Sequence, residues 1–470
     1  MKKLLALLVL PLALLLTASA APVSPDRARA IALASMRSAA ARSASGTAAQ
    51  QIELTLVKTA TPRAKSGGKA QGALYYVFDK GEDGGIIIVA GDDRMRPVLG
   101  YTDRGSFAGA DDNPGMRWWL EAVGRAAEAI ASGEAPAEAV SGLKAAQEAA
   151  AASSMGGVEP LVKTQWGQNE PFNLLCPYDY EHDGQSVTGC VATAMAQLFY
   201  YWRYPEKGTG TAAYRTGKHG ITVSANLADH PFDYDKMLTY YTGYDSDEAN
   251  QAVAQLMYAC AVSHEMDFCA YASSASISLE KLVNMFGFDP SCASGQREHF
   301  TPAEWESLIR HEIDQQRPVL YRGENASGGH IFICDGYDEA GLFHINWGWY
   351  GSYDGYFDLA SLNSDNIPAD GYTINQQVYY GLKPAGAQGG TAYDCSLYYE
   401  SLSLGTTTTC NAGDIIRYNI THLECQGLDY DGYIGTAIYD AGGNLVDADC
   451  SSRFSLQNNY YYGSYDMIYT

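Results

Sequence analysis

The chain changes its composition near residue 157, and this break constrains its fold more than any other feature. Residues 1–157 hold 17 Lys and Arg against 15 Asp and Glu, whereas residues 158–470 hold 14 against 39. Three of the 35 Tyr precede the break, and all 10 Cys follow it. A joint change in charge, aromatic content and cysteine predicts a junction between two differently built parts, in a chain long enough for two to four domains.

The overall composition excludes two broad classes of protein. Hydrophobic residues make up 46% of the chain and charged residues 18%, which is typical of folded domains rather than of a mainly disordered protein. The formal net charge is −23, so the basic footprint that nucleic-acid binding requires is not expected.

The N-terminus has the pattern of an export signal. Lys2 and Lys3 precede an apolar run from Leu4 to Leu16, and small residues follow up to Ala20. A membrane anchor is the alternative, but this run is shorter than the ~20 residues of a spanning helix, and no later stretch is long enough. We therefore expect a signal peptide at residues 1–20 and a bacterial protein that is secreted or exposed at the cell surface, where disulfides are allowed.

The segment between the signal and the break reads as a small α+β domain. Apolar clusters separated by Gly-rich turns predict strands, and apolar spacing predicts a helix at each end. Residues 132–156, rich in Ala, Gly, Ser and Glu, read as a linker. Residues 21–157 would suit a detachable pro-region. The predicted elements are a helix within 23–50, strands at 51–64, 73–80 and 85–90, and a helix at 116–131.

After the break the order of elements is again α+β, with helices first and an antiparallel sheet after them. Residues 158–384 form this predicted domain, with helices at 190–202, 248–264 and 302–315 and strands at 330–337 and 342–347. Residues 385–470 follow a Gly-rich linker and are rich in Thr, Tyr and Gly. They predict a β-sandwich-like module, which we expect to be incomplete at its end.

Cys190 is the candidate nucleophile. It follows Gly189 and opens a predicted helix, and a helix N-terminus stabilises the reactive thiolate form of cysteine. We expect the glycine to leave room for a substrate backbone. The alternative is a disulfide, for example with Cys176, because an exported chain with an even number of cysteines favours pairing.

His330 is the candidate base, because it lies between a Gly-rich loop and a strand, where residues often face clefts. His344 is the main rival, but it lies in the middle of a strand. Asn346 lies on the next strand of the predicted hairpin, where its amide could orient the His330 ring, and Trp347 could cover that contact. Gln165 could supply the side-chain amide of an oxyanion site.

Taken together, these segments resemble one known family. The streptopain family of secreted bacterial cysteine peptidases, which is papain-like in fold, is similar over about residues 23–383, including a pro-region segment at 91–107. The matching segments are Gln165-Trp166-Gly167-Gln168, Gly189-Cys190-Val191-Ala192-Thr193-Ala194, Gly329-His330 and Asn346-Trp347-Gly348-Trp349.

The resemblance implies a role for each residue. Cys190 becomes the nucleophile, His330 the general base and acid, and Gln165 the oxyanion donor, while Asn346 and Trp347 match the segment that supports the histidine. It also implies a zymogen whose own pro-region blocks the cleft until cleavage near residues 150–160. Protein or peptide substrates are implied, and neither a cofactor nor a bound metal is expected.

Several other interpretations stay open at this stage. His264-Glu265 and His311-Glu312 begin like a zinc-peptidase motif, but the second histidine is missing at the required spacing. A catalytically silent or adhesive surface protein, a peptidase-like inhibitor and a transpeptidase are the remaining alternatives. Streptopain is poor in cysteine, whereas residues 158–384 hold six, and Cys260 and Cys269 could pair across a turn.

Overall fold

The structure is a computed structural model of the full chain. It describes residues 22–42, 53–62, 72–133, 156–229, 231–325, 328–359 and 375–387, and six stretches between 396 and 469. The predicted signal peptide, most of the predicted linker at 132–156, and Cys395 and Cys410 lie outside the described residues.

Helices and strands alternate in blocks along the described part of residues 22–387. The helices are α1 (Pro25–Arg42), α2 (Pro114–Ser132), α3 (Cys190–Trp202), α4 (Asp247–Ser263), α5 (Leu279–Phe286) and α6 (Pro302–Asp314). The strands are β1 (Thr55–Ala60), β2 (Tyr75–Asp79), β3 (Ile86–Ala90), β4 (Val98–Thr102), β5 (Tyr178–Asp179), β6 (Gly184–Gln185), β7 (Thr211–Arg215), β8 (Thr222–Asn226), β9 (Ala293–Gln296), β10 (Val319–Asn325), β11 (Gly328–Tyr337), β12 (Phe343–Asn346), β13 (Gly355–Phe357) and β14 (Asn375–Tyr380).

One antiparallel sheet of ten strands spans the predicted junction at residue 157. Its order is β1-β2-β3-β4-β13-β12-β11-β10-β14-β9, so β4 of the N-terminal part pairs directly with β13 of the later part. Two glycines make this seam possible, because a Cβ at Gly100 would lie 2.7 Å from Phe357 and one at Gly355 would lie 2.3 Å from the Tyr101 carbonyl oxygen. The sequence predicted two separate units and did not indicate that their sheets would join.

The central strands are buried on both faces. Along β11, Phe332 and Cys334 face a core shared with α2 and α6, while Ile331 and Ile333 face a core shared with α3 and α4. Because side chains alternate along a strand, a run of apolar residues such as 331–334 has to be covered on both sides. The helix α3, which begins at Cys190, and the helix α2 therefore lie on opposite faces of one sheet.

The helices and strands that the sequence predicts mostly begin and end within a few residues of the observed ones, whereas β4 to β9 and β14 were not predicted. Apolar spacing and caps explain this agreement: Asn113 caps α2 through the Met116 N–H at 3.0 Å, and Thr301 with Glu304 forms a capping box on α6. The mixed α+β fold class is confirmed. The helix α5 was not predicted, because its eight residues span too few turns to show a clear period.

The described parts of residues 396–469 are all β, as the sequence predicts. The long strand β17 pairs with β15 and β16 along one edge and with β22 along the other. The strands β19 and β20 form a hairpin, and β18 pairs with β21. The strands are β15 (Ser396–Tyr398), β16 (Ser401–Leu404), β17 (Ile416–Gln426), β18 (Tyr430–Gly432), β19 (Gly435–Tyr439), β20 (Leu445–Cys450), β21 (Phe454–Leu456) and β22 (Tyr461–Tyr469).

A search for membrane spans covered the described residues only. None of their helices combines the length and the apolar character needed to cross a membrane.

Candidate active site

Cys190 is the first residue of α3, as predicted, and its side chain is partly exposed. Gly189 before it adopts φ of 82°, a conformation that favours glycine, and a Cβ there would lie 2.7 Å from Met266. The glycine is therefore required by backbone conformation and by packing behind the nucleophile, and the room that it leaves for a substrate backbone stays a prediction. Cys190 is a free thiol, so the alternative of a disulfide with Cys176 does not hold in this structure.

Cys190 and His330 are brought together and change each other's proton affinity. Burial raises the pKa of the Cys190 thiol, but a hydrogen bond and charge interaction with His330, together with the N–H groups of Ile331 and Val191, bring the net pKa below the usual thiol value. Burial lowers the pKa of His330, and the same contact with Cys190 outweighs it, so the net pKa is raised. Both shifts favour a thiolate–imidazolium pair.

The second nitrogen of His330 is held by the backbone. His330 Nε2 donates to the carbonyl oxygen of Trp347 at 2.8 Å, so Nδ1 is the nitrogen left to face the Cys190 sulfur. A carbonyl acceptor fixes the tautomer and the ring orientation in the way that a carboxylate or amide does in other triads. A backbone group carries no signature in a sequence, which is why this partner was not predicted.

Asn346 does not make the contact with His330 that we expected. Its Nδ2 donates to the Thr164 carbonyl at 2.7 Å, and its Oδ1 accepts from Gln197 Nε2 at 3.2 Å and from the Gly348 N–H at 3.0 Å. These hydrogen bonds use both atoms of the amide and link the turn after β12 to α3 and to the segment before Gln165. It positions the Trp347 carbonyl instead of touching the ring.

Gln165 lies in a segment that runs beside the N-terminus of α3. The Gly167 carbonyl accepts from Thr193 Oγ1 at 3.3 Å, and the Gln168 carbonyl accepts from the Thr188 N–H at 3.0 Å. The Gln165 side chain is partly exposed and lies against Gly351, where a Cβ would approach its Cδ to 2.9 Å. The structure thus brings this segment to the end of the helix that carries Cys190.

The Trp347 side chain is fully buried next to the site. Its ring packs on Phe332 at 4.6 Å and on Phe357 at 5.3 Å between centroids, and its Nε1 donates to the Tyr353 carbonyl at 2.8 Å. The sequence predicted that Trp347 covers a contact between Asn346 and His330; that contact is not made, and the Trp347 carbonyl itself bonds the ring.

The N-terminal helix α2 lies over His330, and the sequence did not predict this. A Cβ at Gly115 would lie 2.8 Å from His330 Cδ2 and 2.3 Å from the Trp347 ring, so the helix backbone touches both residues. Trp118 reaches the sheet beside Gly323, where a Cβ would approach its ring to 2.2 Å. Amphipathic spacing shows that a helix has a buried face, but not which surface that face meets.

The rival histidines have other environments. His344 bonds Asp335 at 2.7 Å on the sheet. His264 is buried at the end of α4, where burial lowers its pKa to about 4. Cys260 and Cys269 are both free thiols, so the pairing considered from the sequence does not hold in this structure.

Comparisons with known proteins agree with this arrangement. Residues 166–357 match the Peptidase C10 family, and residues 20–127 match the family described as Spi protease inhibitor. The chain is 34% identical over 330 residues to the thiol protease/hemagglutinin PrtT of Porphyromonas gingivalis, covering 67% of this chain but only 37% of that protein. It is 31% identical over 344 residues to streptopain of Streptococcus pyogenes, covering 67% of this chain and 82% of the relative.

A solved structure gives the same result for the fold. The prointerpain A fragment of Prevotella intermedia superposes with a TM-score of 0.59 at 28% identity, covering 71% of this chain and 99% of that one. That solved structure is described as a fragment of prointerpain A, the pro-form of the enzyme. The chain belongs to the Peptidase C10 (streptopain) family of cysteine endopeptidases that are made with an inhibitory pro-domain.

Proposed function

We propose that this protein is an exported zymogen whose processed form cleaves peptide bonds in proteins through an acyl-enzyme on Cys190. The observation that carries the assignment is the contact between the Cys190 thiol, at the start of α3, and the His330 ring, whose other nitrogen bonds the Trp347 carbonyl. This is the nucleophile, base and orienting group of a thiol peptidase in one chain.

The residues would act in sequence. The Cys190 thiolate attacks the scissile carbonyl carbon, and the His330 imidazolium donates its proton to the leaving amine, which releases the C-terminal product. A water molecule, deprotonated by His330, then attacks the thioester and regenerates the thiolate. The backbone N–H of Cys190 and the side-chain amide of Gln165 are our assigned donors to the oxyanion.

The position of α2 explains why the uncleaved chain would be inactive. Because α2 contacts His330 and Trp347 through Gly115, a substrate chain cannot lie over the histidine while the helix is in place.

We assign residues 1–20 to a signal peptide, 21–157 to the pro-region with its linker, 158–384 to the peptidase and 385–470 to an added β-rich module. The pro-region is then the intramolecular inhibitor, protein or peptide substrates are the partners, and the cell exterior is the place of action.

Site-directed variants test this assignment. Cys190→Ala and His330→Ala should each reduce cleavage of casein under reducing conditions by at least ~1000-fold, because nucleophile and base act as a unit. His344→Ala is the matched control, since His344 is a second histidine of the same sheet and has its own acceptor. Full cleavage by Cys190→Ala would refute the mechanism, whereas equal loss in all three variants would point to misfolding.

A further inference from the structure

Four side chains with metal-binding atoms converge away from the active site. Asp179 ends β5, His182 lies in the β5–β6 turn, His219 lies in the β7–β8 turn, and Cys269 lies in the loop after α4. One ligand atom from each lies within 4.8 Å of all the others. Three separate segments of the described chain contribute to this group.

The spacing of the ligand atoms is that of a tetrahedral site. Two nitrogen or oxygen ligands bound ~2.0 Å from one Zn²⁺ at the tetrahedral angle lie ~3.3 Å apart. Asp179 Oδ2 lies 2.9 Å from His182 Nδ1 and 3.7 Å from His219 Nε2, which brackets this value. The rings of His182 and His219 lie 4.9 Å apart between centroids and nearly perpendicular, so both can face one centre.

The surrounding groups match those of a ligand set and not of a simple surface ion pair. His219 Nδ1 bonds Glu181 Oε2 at 2.6 Å, which leaves Nε2 for the cluster, and metal-binding histidines usually bond a carboxylate in this way. The Cys269 side chain accepts from the backbone N–H groups of Tyr271 and Ala272 and contacts the His219 ring. Such N–H donors stabilise a thiolate ligand.

The cluster is buried but reachable. Asp179 is fully buried and the His219 side chain is 12% exposed, while the His182 side chain is 32% exposed and provides a route from solvent. One thiolate, two imidazoles and one carboxylate form a set that suits Zn²⁺ and disfavours Ca²⁺ or Mg²⁺, which take oxygen ligands.

We propose that Asp179, His182, His219 and Cys269 bind one structural Zn²⁺ ion. The four protein ligands leave no open position, so the ion would link the three loops and would not act on substrate.

The proposed ion would also affect the segment that leads into Cys190. The Cys269 carbonyl accepts from the Val187 N–H at 3.1 Å, and Ser273 Oγ donates to the Val187 carbonyl at 2.7 Å. Val187 lies three residues before Cys190. The ion would thus fix the loop against which the start of α3 is built.

Metal titration of an untagged full chain tests the proposal. The Cys190→Ala background removes the active-site thiol as a competing ligand. Co²⁺ should bind with a stoichiometry of one, with a thiolate-to-cobalt absorption band in the near ultraviolet and tetrahedral bands in the visible, and Zn²⁺ should displace it. Cys269→Ser should remove the near-ultraviolet band. Glu181→Ala should weaken Zn²⁺ binding about 10- to 100-fold.

Control variants separate the loss of a metal ligand from a general loss of folding. Cys292→Ser removes another buried thiol, outside the cluster, and should leave both bands and the Zn²⁺ affinity unchanged. If Cys269→Ser fails to fold, His182→Ala and Glu181→Ala decide, because both side chains are partly or largely exposed. The proposal is overturned if the parent binds no stoichiometric metal, or if folded Cys269→Ser keeps the near-ultraviolet band, or if His182→Ala and Glu181→Ala bind Zn²⁺ as tightly as the parent.

Discussion

At the scale of single residues, the chemistry of this protein depends on which neighbours a titratable group has. Cys176, Cys190, Cys260 and Cys334 are all free thiols, yet burial raises the pKa of Cys176, Cys260 and Cys334 while that of Cys190 is lowered. The difference is His330, because a desolvated thiol without a cationic partner keeps its proton. A cysteine at a helix start is therefore reactive here through its tertiary partner.

The pH dependence of alkylation tests this pairing. Because the pKa of Cys190 is lowered and that of His330 is raised, the thiolate should persist on the acid side of the ordinary thiol range. Iodoacetamide should therefore label Cys190 at pH values where Cys176 in the same sample stays unlabelled, as mass spectrometry of the peptides would show. In His330→Ala the burial of the thiol is no longer offset, and labelling of Cys190 should move to higher pH.

If Cys190 labelling had the same pH profile in the parent and in His330→Ala, the two groups would not be coupled. Cys176 serves as the internal control, since burial alone raises its pKa in both proteins.

At the scale of elements, the helix α2 decides access to the site. Its N-terminus is placed by the Asn113 cap and by a hydrogen bond from Asn113 Nδ2 to the Ser352 carbonyl at 3.0 Å. Trp119 Nε1 donates to the Asp358 carbonyl at 3.1 Å further along the same helix. These contacts hold Gly115 against His330, so the helix is both a structural part of the sheet packing and a cover on the histidine.

Gly115→Ala should weaken this cover. The added Cβ would overlap Trp347 and His330, and overpacking of this kind costs about 1–3 kcal/mol, or about 5- to 150-fold in the ratio of uncovered to covered protein. The full chain should then hydrolyse a fluorogenic peptide faster before the pro-region is lost, as initial rates would show.

Gly124→Ala in the same helix is the matched control. Its Cβ would meet only Tyr75, at an ordinary 3.6 Å. Alanine favours the helix at this interior position, so any change in rate there would come from helix propensity and not from a clash with the site. A rate increase in both variants, or in neither, would mean that Gly115 does not control access.

At the scale of the whole molecule, the N-terminal part is joined to the peptidase by more than α2. The β4–β13 pairing makes one sheet of the two. Beside this seam, Arg96 bonds Glu306 of α6 at 3.0 Å and the Ala340 carbonyl at 2.7 Å, and lies 3.4 Å from Asp358. Arg96 is buried, so its charge is balanced within the protein and not by water.

Arg96→Ala should loosen the N-terminal strands. Removing Arg96 takes one cation from the buried carboxylates of Glu306, which keeps Arg310 at 3.4 Å, and of Asp358. Loss of one partner of a buried ion pair typically costs about 3–5 kcal/mol. Hydrogen exchange of the Cys190→Ala chain should show faster exchange across β2, β3 and β4. Arg27→Ala is the control, because its pair with Asp93 is exposed at 3.9 Å and should contribute at most about 1 kcal/mol. Equal exchange in both variants would show that the Arg96 pair does not hold the two parts together.

The sequence by itself determined the described helices except α5, the strands at 73–80, 85–90, 330–337 and 342–347, the candidate residues Cys190 and His330, and the family, because apolar periodicity, caps and short motifs are local properties of the chain. The tertiary structure alone decided that Trp347 holds His330 through its carbonyl, that Asn346 ties the turn to α3, and that Gly115 lies over the site. It also decided that the compositional break at residue 157 is crossed by one sheet. These are contacts between segments far apart in the chain, several of them through backbone atoms that every residue carries, so no local pattern encodes them.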